Sequence, residues 1–202
     1  MTLDKLRPVA NRALHPFVRG ADALGLTPDT VSVLAFGFAG AAGIVFYLAG
    51  TDPRWYLVGA LLVLANGWLD LVDGALARAQ GVGSAAGDLL DHVLDRYADI
   101  VIIAGLAAGI GRYGLGLAAV TGVLMTSYLG TQAQAVGLDR VYGGLLGRAD
   151  RLALIGIVAA IAAFVTDVFA GLTIVGWLLV VLAVIGHVTA LQRFYYSMTA
   201  FD

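Results

Sequence analysis

The sequence predicts an all-α integral membrane bundle of six transmembrane helices preceded by an N-terminal amphipathic surface helix. Three observations carry that expectation. Hydrophobic residues fill 60% of 202 positions and charged residues only 13%, with a mean hydropathy of +0.88, a balance foreign to a soluble globule. Uncharged stretches long enough to cross about 30 Å of hydrocarbon recur along the chain. Turn residues such as Thr51-Asp52-Pro53-Arg54 and Gly81-Val82-Gly83 separate them. No sequence repeat or soluble segment interrupts the pattern, so residues 1–202 read as one membrane domain, with 1–24 juxtamembrane and 27–196 forming the bundle. Cysteine is absent, which excludes disulfides, thiolate nucleophiles and thiolate metal sites. A net charge of -2 gives no basis for a nucleic-acid partner.

In residues 1–24, Leu3, Leu6, Ala10, Leu14, Phe17, Ala21 and Leu24 recur at helical spacing with charges between them. This is the pattern of a helix lying on a membrane surface and attracting lipid headgroups, broken or kinked near Pro8 and Pro16. Charges at Asp4, Lys5, Arg7, Arg12 and Arg19 interrupt any apolar run, so it is no cleavable signal peptide. Thr27 then reads as a cap, Pro28 suits a first turn and Asp29 suits the positive end of a helix dipole. An uncharged first span follows over 30–51. Trp55 and Tyr56 read as interfacial anchors opening a second span over 55–80. A third returns over 84–111 and a fourth runs over 113–138. Residues 139–151, with Arg140, Arg148, Asp150 and Arg151, read as a polar loop. The fifth and sixth spans cover 152–166 and 173–192, and Arg193-Phe194-Tyr195-Tyr196 reads as a closing interfacial cluster.

Six spans put both termini on one side. Lys5, Arg7, Arg12, Arg19, Arg78, Arg140, Arg148, Arg151 and Arg193 fall there, against Arg54 and Arg112 opposite, so the positive-inside rule makes the crowded side cytoplasmic. At 1.5 Å per residue Asp70 lies roughly 22 Å from Trp55, just inside that cytoplasmic face.

The chemistry concentrates between Asp70 and Asp95. At about 100° per residue, Asp70, Asp73, Gly74 and Ala77 share one helical face, and Ser84, Gly87, Asp88, Asp91 and Asp95 share another. Two antiparallel helices joined at Gly81-Val82-Gly83 can point Asp70, Asp73, Asp91 and Asp95 at one spot. Carboxylates gathered in a low dielectric repel one another unless cations neutralise them. An all-oxygen cluster suits hard divalent ions, Mg²⁺ first, then Mn²⁺ and Ca²⁺. Gly74 leaves room for a phosphate or nucleotide to approach the helix backbone, and Arg78 is suited to pair with phosphate. Charges inside a span are costly, so a structural role for the tetrad is the weaker reading. An ion or proton transporter is the rival.

The spacing Asp-x2-Asp-Gly-x2-Ala-Arg-x8-Gly-x3-Asp-x3-Asp, from Asp70 to Asp95, resembles the CDP-alcohol phosphotransferase family at every fixed position. The resemblance implies a phospholipid-synthesising transferase that moves a phosphatidyl or archaetidyl group from a CDP-linked lipid to a small polar alcohol and releases CMP. It implies two ions per site, Mg²⁺ with Mn²⁺ as an alternative. Asp70, Asp73 and Asp91 would hold one, and Asp70, Asp91 and Asp95 would contribute to the second. Asp95 would be the base that takes the alcohol's proton. Asp29 and Ser32, at the start of the first span, and Ser84 would contact the CDP moiety. A homodimer is implied as well.

The acceptor is less defined. Arg148 and Arg151, with Arg140 nearby, suit an acceptor phosphate. Ser127-Tyr128-Leu129-Gly130-Thr131-Gln132-Ala133-Gln134 is similar to the corresponding stretch of inositol-phosphate-using members, which carry basic residues where Gly130 and Gln132 stand here. Inositol phosphate, glycerol phosphate and serine all remain open. Of the acids outside the motif, Asp88 or Asp99 is expected to form a structural salt link with Arg96. His15, His92 and His187 lack ligand-like spacing, and the small-residue runs Gly37-x-x-Gly40-x-x-Gly43 and Gly105-x-x-x-Gly109 read as helix-packing faces.

Overall fold

The computed structural model describes residues 7–138 and 146–201, with side chains from Ala13 onward. Arg140 therefore lies outside the described residues. These hold seven helices: α1 (Arg7–Ala23), α2 (Pro28–Leu48), α3 (Trp55–Gln80), α4 (Ala85–Gly109), α5 (Tyr113–Ala135), α6 (Arg148–Ala162) and α7 (Ile174–Thr199). Four of them, α2, α3, α5 and α7, are long and apolar enough to cross a membrane. The 25-residue α4 has the length, but Asp88, Asp91, Asp95 and Arg96 crowd its first half and Asp99 follows just beyond. α6 is 15 residues long, about 22 Å at 1.5 Å per residue.

Local chemistry sets the ends that matter for the site. Thr27 sits in the extended region, accepts from the Thr30 N–H at 3.2 Å through its hydroxyl, and is followed by Pro28 at the first helical position. α3 stops at Gly81, whose φ of +66° is left-handed and favours glycine. Ser84 then caps α4 by accepting from the Gly87 N–H at 3.0 Å. The chain thus reverses within a few residues, and both aspartate-bearing segments end up near the same level.

α2 packs along both α3 and α4, and α5 packs along α7. Glycine permits the closest approaches. A Cβ on Gly43 would lie 2.6 Å from the Val101 carbonyl oxygen, one on Gly105 would run into the Gly43 carbonyl, and one on Gly109 into that of Phe46. Gly37 and Gly40, by contrast, face open space, so the expected packing run narrows to its last member. Below the charged half of α4, Ile102, Ile103 and Leu106 are fully buried with Phe46 of α2. The apolar half of α4 anchors the bundle and the polar half carries the chemistry.

Several expected boundaries shift. α1 continues through Pro16 rather than breaking there. One face of it is seated: Leu14 and Ala21 are buried against Val31, Val72 and Leu76, and the Phe17 ring meets Trp68 edge-on at 5.3 Å. Gln80 adds a hydrogen bond from Nε2 to the Asp22 carboxylate at 2.9 Å and another to the Leu26 carbonyl at 3.2 Å. α5 ends at Ala135, short of the expected 138. α6 begins at Arg148 rather than 152 and ends at Ala162, so both arginines belong to its first turns and not to a loop. α7 runs on to Thr199, past the expected stop at 192, because the aromatic Arg193–Tyr196 stretch is helical.

Candidate active site

Carboxylate oxygens of Asp70 on α3 and of Asp91 and Asp95 on α4 lie within 4.8 Å of one another. Asp73, one turn beyond Asp70, is buried and points to the same region, but its Oδ2 accepts a 2.7 Å hydrogen bond from the Ser32 hydroxyl of α2. All four aspartates, with Ser32, Asn66 and Arg148, line one small cavity. The donor set fits a hard divalent ion: it is all oxygen and mostly anionic. The buried Asn66 supports this fit. Asn66 lines the aspartate cavity; its Nδ2 donates to the Ala35 carbonyl at 2.9 Å, while its buried Oδ1 has no hydrogen-bond partner among the described residues.

Beside the cluster opens a cleft of about 330 Å³, framed by the starts of α2 and α4 and the last turns of α3. Asp29, Ser32, Gly74, Ser84, Gly87 and Asp91 line it, and Asp73 is shared between cleft and cluster. Among the described residues, a Cβ on Gly74 would meet only the far end of Arg78, at 3.5 Å from Nη1. Over Gly87 a Cβ would sit 3.3 Å from both the Asp29 Oδ1 and the Ser84 hydroxyl, so the starts of α2 and α4 converge at that wall. The cleft is thus rimmed by helix N-termini and backed by carboxylates, an arrangement for a phosphate-bearing ligand with a bound cation.

Arg148 closes the other side. Its guanidinium forms an ion pair with Asp70 Oδ1 through Nη1, and its Nη2 lies 2.8 Å from Asp95 Oδ1. Arg96 takes the other oxygen of Asp95, Nη2 to Oδ2 at 3.4 Å. Arg151 does not join this group. It is buried, with Nη2 donating to Asp99 Oδ2 at 2.6 Å. The expected Arg96 salt link does reach Asp99, at 4.0 Å, but as the outer contact of a pair dominated by Arg151. Two positive side chains in the first turns of α6 oppose the helix dipole; Asp150 in the first turn, accepting from the Gly147 N–H at 3.1 Å, offsets them locally, and the aspartates of α3 and α4 pair with the arginines themselves.

A sequence profile of CDP-alcohol phosphatidyltransferases matches residues 25–189, most of the chain. The chain belongs to the CDP-alcohol phosphatidyltransferase family. Among curated relatives, this CDP-alcohol phosphatidyltransferase is 34% identical over 200 residues to the archaetidylinositol phosphate synthase of Methanothermobacter thermautotrophicus, covering 96% of this chain and 93% of that one. To the phosphatidylinositol phosphate synthase of Mycobacterium tuberculosis (strain H37Rv) it is 31% identical over 199 residues, covering 95% and 89%. The fold agrees with crystal structures of the M. tuberculosis enzyme. The one with CDP-DAG bound aligns with a TM-score of 0.79 at 28% identity over 93% of this chain and 94% of that one. The one in complex with manganese and citrate also aligns at 0.79 and 28%, over 92% and 89%. Membership makes this chain an enzyme of phospholipid synthesis.

Two features of the structure were not legible in the sequence of this CDP-alcohol phosphatidyltransferase, one beside the site and one away from it. An apolar groove of about 500 Å³ runs between α3 and α6, lined by Leu61, Leu64, Trp68, Leu152 and Ile157, with Asp70 at its wall. Arg193 is buried rather than interfacial, and its Nη1 donates to the Thr126 carbonyl of α5 at 2.7 Å.

Proposed function

We propose that this enzyme transfers an archaetidyl or phosphatidyl group from a CDP-linked lipid to the hydroxyl of an inositol phosphate and releases CMP. The observation that carries the reading is the junction of three spaces at one carboxylate cluster: the polar cleft, the Arg148 side and the apolar groove. The cleft suits the cytidine diphosphate, with Asp29, Ser32, Gly74, Arg78 and Ser84 as its contacts. The groove suits the donor's hydrocarbon. Two relatives described as archaetidylinositol phosphate synthases favour an ether-lipid donor and an inositol phosphate acceptor, the first 34% identical and the second, from Pyrococcus horikoshii, 28% identical.

In this reading Asp70, Asp73, Asp91 and Asp95 hold divalent ions, Mg²⁺ or Mn²⁺. When bound, such ions neutralise the pyrophosphate and stabilise the departing CMP. Asp95 takes the acceptor's hydroxyl proton as that oxygen bonds to the lipid-side phosphorus. The bond from that phosphorus to the CMP oxygen breaks, and its electron pair leaves with CMP. Arg148 pairs with the acceptor's phosphate, and Arg151 supports α6 beside it. The same reading takes 1–202 as one domain with α1 at the membrane surface and α2 to α7 as six spans, the termini and site facing the cytoplasm by the positive-inside rule, in a homodimer.

The test incubates purified protein with CDP-archaeol or CDP-diacylglycerol, Mg²⁺ and a panel of inositol phosphate, glycerol phosphate and serine, scoring CMP. Release with inositol phosphate alone, abolished by EDTA, is the expected result. Release with another alcohol overturns the acceptor. No release with any of them, from folded protein, overturns the proposed donor and acceptor together.

A further inference from the structure

Arg148 and a divalent ion share two carboxylates, those of Asp70 and Asp95. The guanidinium pairs with Asp70 and Asp95, two of the three residues whose carboxylates converge within 4.8 Å. Asp95 has little to spare, because its Oδ1 faces Arg148 at 2.8 Å and its Oδ2 faces Arg96 at 3.4 Å. An ion that takes Asp70 Oδ1 and Asp95 Oδ1 as ligands therefore displaces Arg148, and so does an alcohol that gives its proton to Asp95 Oδ1.

We propose that Arg148 is an exchangeable counter-ion: a divalent ion displaces it from Asp70 and Asp95, and the released guanidinium captures the phosphate of the acceptor. This rests on the transferase reading above and adds an order of events to it. The fold supplies a fixed reference beside the moving part. One turn along α6, Arg151 is bound to Asp99 at 2.6 Å with both side chains almost wholly buried, and Asp99 is not in the metal-ligating group. The two arginines make parallel rungs from α6 to α4, Arg148 to Asp95 and Arg151 to Asp99. The outer rung opens while the inner one holds α6 in place.

The exchange has a thermodynamic signature. While Arg148 competes with the ion, it weakens metal binding, and an acceptor phosphate that engages the free guanidinium must tighten metal binding by the same factor as metal tightens acceptor binding. Displacing the guanidinium gives up its charge-assisted hydrogen bonds to the carboxylates, and losing one such bond is worth about tenfold or more in metal affinity.

The experiment titrates Mn²⁺ into EDTA-stripped protein and follows free Mn²⁺ by its paramagnetic resonance, for the wild type and R148Q, with and without inositol phosphate. R148Q is expected to bind Mn²⁺ about tenfold more tightly than wild type. Inositol phosphate is expected to tighten Mn²⁺ binding in the wild type only. Equal or weaker binding by R148Q overturns the exchange while leaving the metal site intact. A wild type that binds no Mn²⁺ overturns the transferase reading itself, and the exchange with it. Should R148Q fail to fold, arginine labelling with phenylglyoxal in the wild type decides the matter by mass spectrometry. Mn²⁺ is expected to raise modification of Arg148 relative to Arg151, and inositol phosphate to reverse the rise. A ratio unchanged by Mn²⁺ overturns the proposal.

Discussion

Asp99 and Arg151 form a 2.6 Å ion pair between α4 and α6 with side-chain exposures of 2% and 5%. A pair so buried is held by the mutual need of its charges, since neither has water to fall back on. α6 packs mainly on α3 and α7, so this pair tethers its arginine-bearing turn to α4, one helical turn from Asp95.

Removing one partner should therefore be worse than removing both. Asp99→Asn leaves the Arg151 charge uncompensated and is expected to cost about 3–5 kcal/mol. The paired replacement Asp99→Leu with Arg151→Met should recover much of that loss. Thermal unfolding in detergent checks it. A double variant no more stable than Asp99→Asn would mean that the pair is not the tether.

Gly74 and Gly105 should respond oppositely to the same methyl group. At Gly74 the added Cβ meets only the Arg78 tip at 3.5 Å, inside a helix, so Gly74→Ala should raise stability by about 0.5–1 kcal/mol. It also intrudes on the cleft, and the KM for the CDP-lipid should rise by about tenfold, the equivalent of 1.4 kcal/mol. At Gly105 the Cβ would strike the Gly43 backbone carbonyl, which cannot rotate away. Gly105→Ala should cost at least about 1–3 kcal/mol with KM unchanged in the protein that remains folded. Melting curves and donor titrations on the two variants separate the effects.

Asp95→Asn keeps the shape of the side chain and one acceptor oxygen but cannot take a proton. If Asp95 is the base, CMP release should fall by about 10²–10⁴-fold while CDP-lipid still raises the melting temperature. Turnover retained within a few-fold would assign proton removal elsewhere.

What the sequence revealed of this site follows from range. The facing of Asp70 with Asp73, and of Asp91 with Asp95, is set by helical periodicity over four residues. The Thr27-Pro28-Asp29 start of α2 and the Gly81 stop of α3 are likewise local chemistry. The ion pairs of Arg148 with Asp70 and Asp95 join residues far apart in the chain, which no periodicity encodes. The start of α6 was masked for a related reason: Arg148 and Arg151 at a helix N-terminus defy the dipole preference and outweigh the one local start signal, Asp150, and the aspartates that pair with them arrive only with the tertiary fold. Gly37 and Gly43 share one repeating pattern in α2, yet only Gly43 meets α4, because spacing defines a stripe without saying how far a neighbour follows it.

The Ser32 hydroxyl offers the last prediction. Ser32 Oγ, with one hydrogen to donate, lies 2.7 Å from Asp73 Oδ2 and 3.1 Å from the Pro28 carbonyl oxygen, and the carboxylate is the shorter and stronger partner. Asp73 is buried, so this bond both orients the carboxylate at the junction of cleft and cluster and offsets part of its desolvation. Ser32→Ala removes the donor without adding bulk. If Asp73 serves the metal in that orientation, Mn²⁺ affinity should fall by about tenfold or more, in line with the 1.5–3 kcal/mol typical of a hydrogen bond to a charged group. Ser32→Thr, which keeps the hydroxyl, should restore most of it. Mn²⁺ titration of the three proteins reads the effect directly, and an unchanged affinity in Ser32→Ala would place Asp73 outside the metal-binding group.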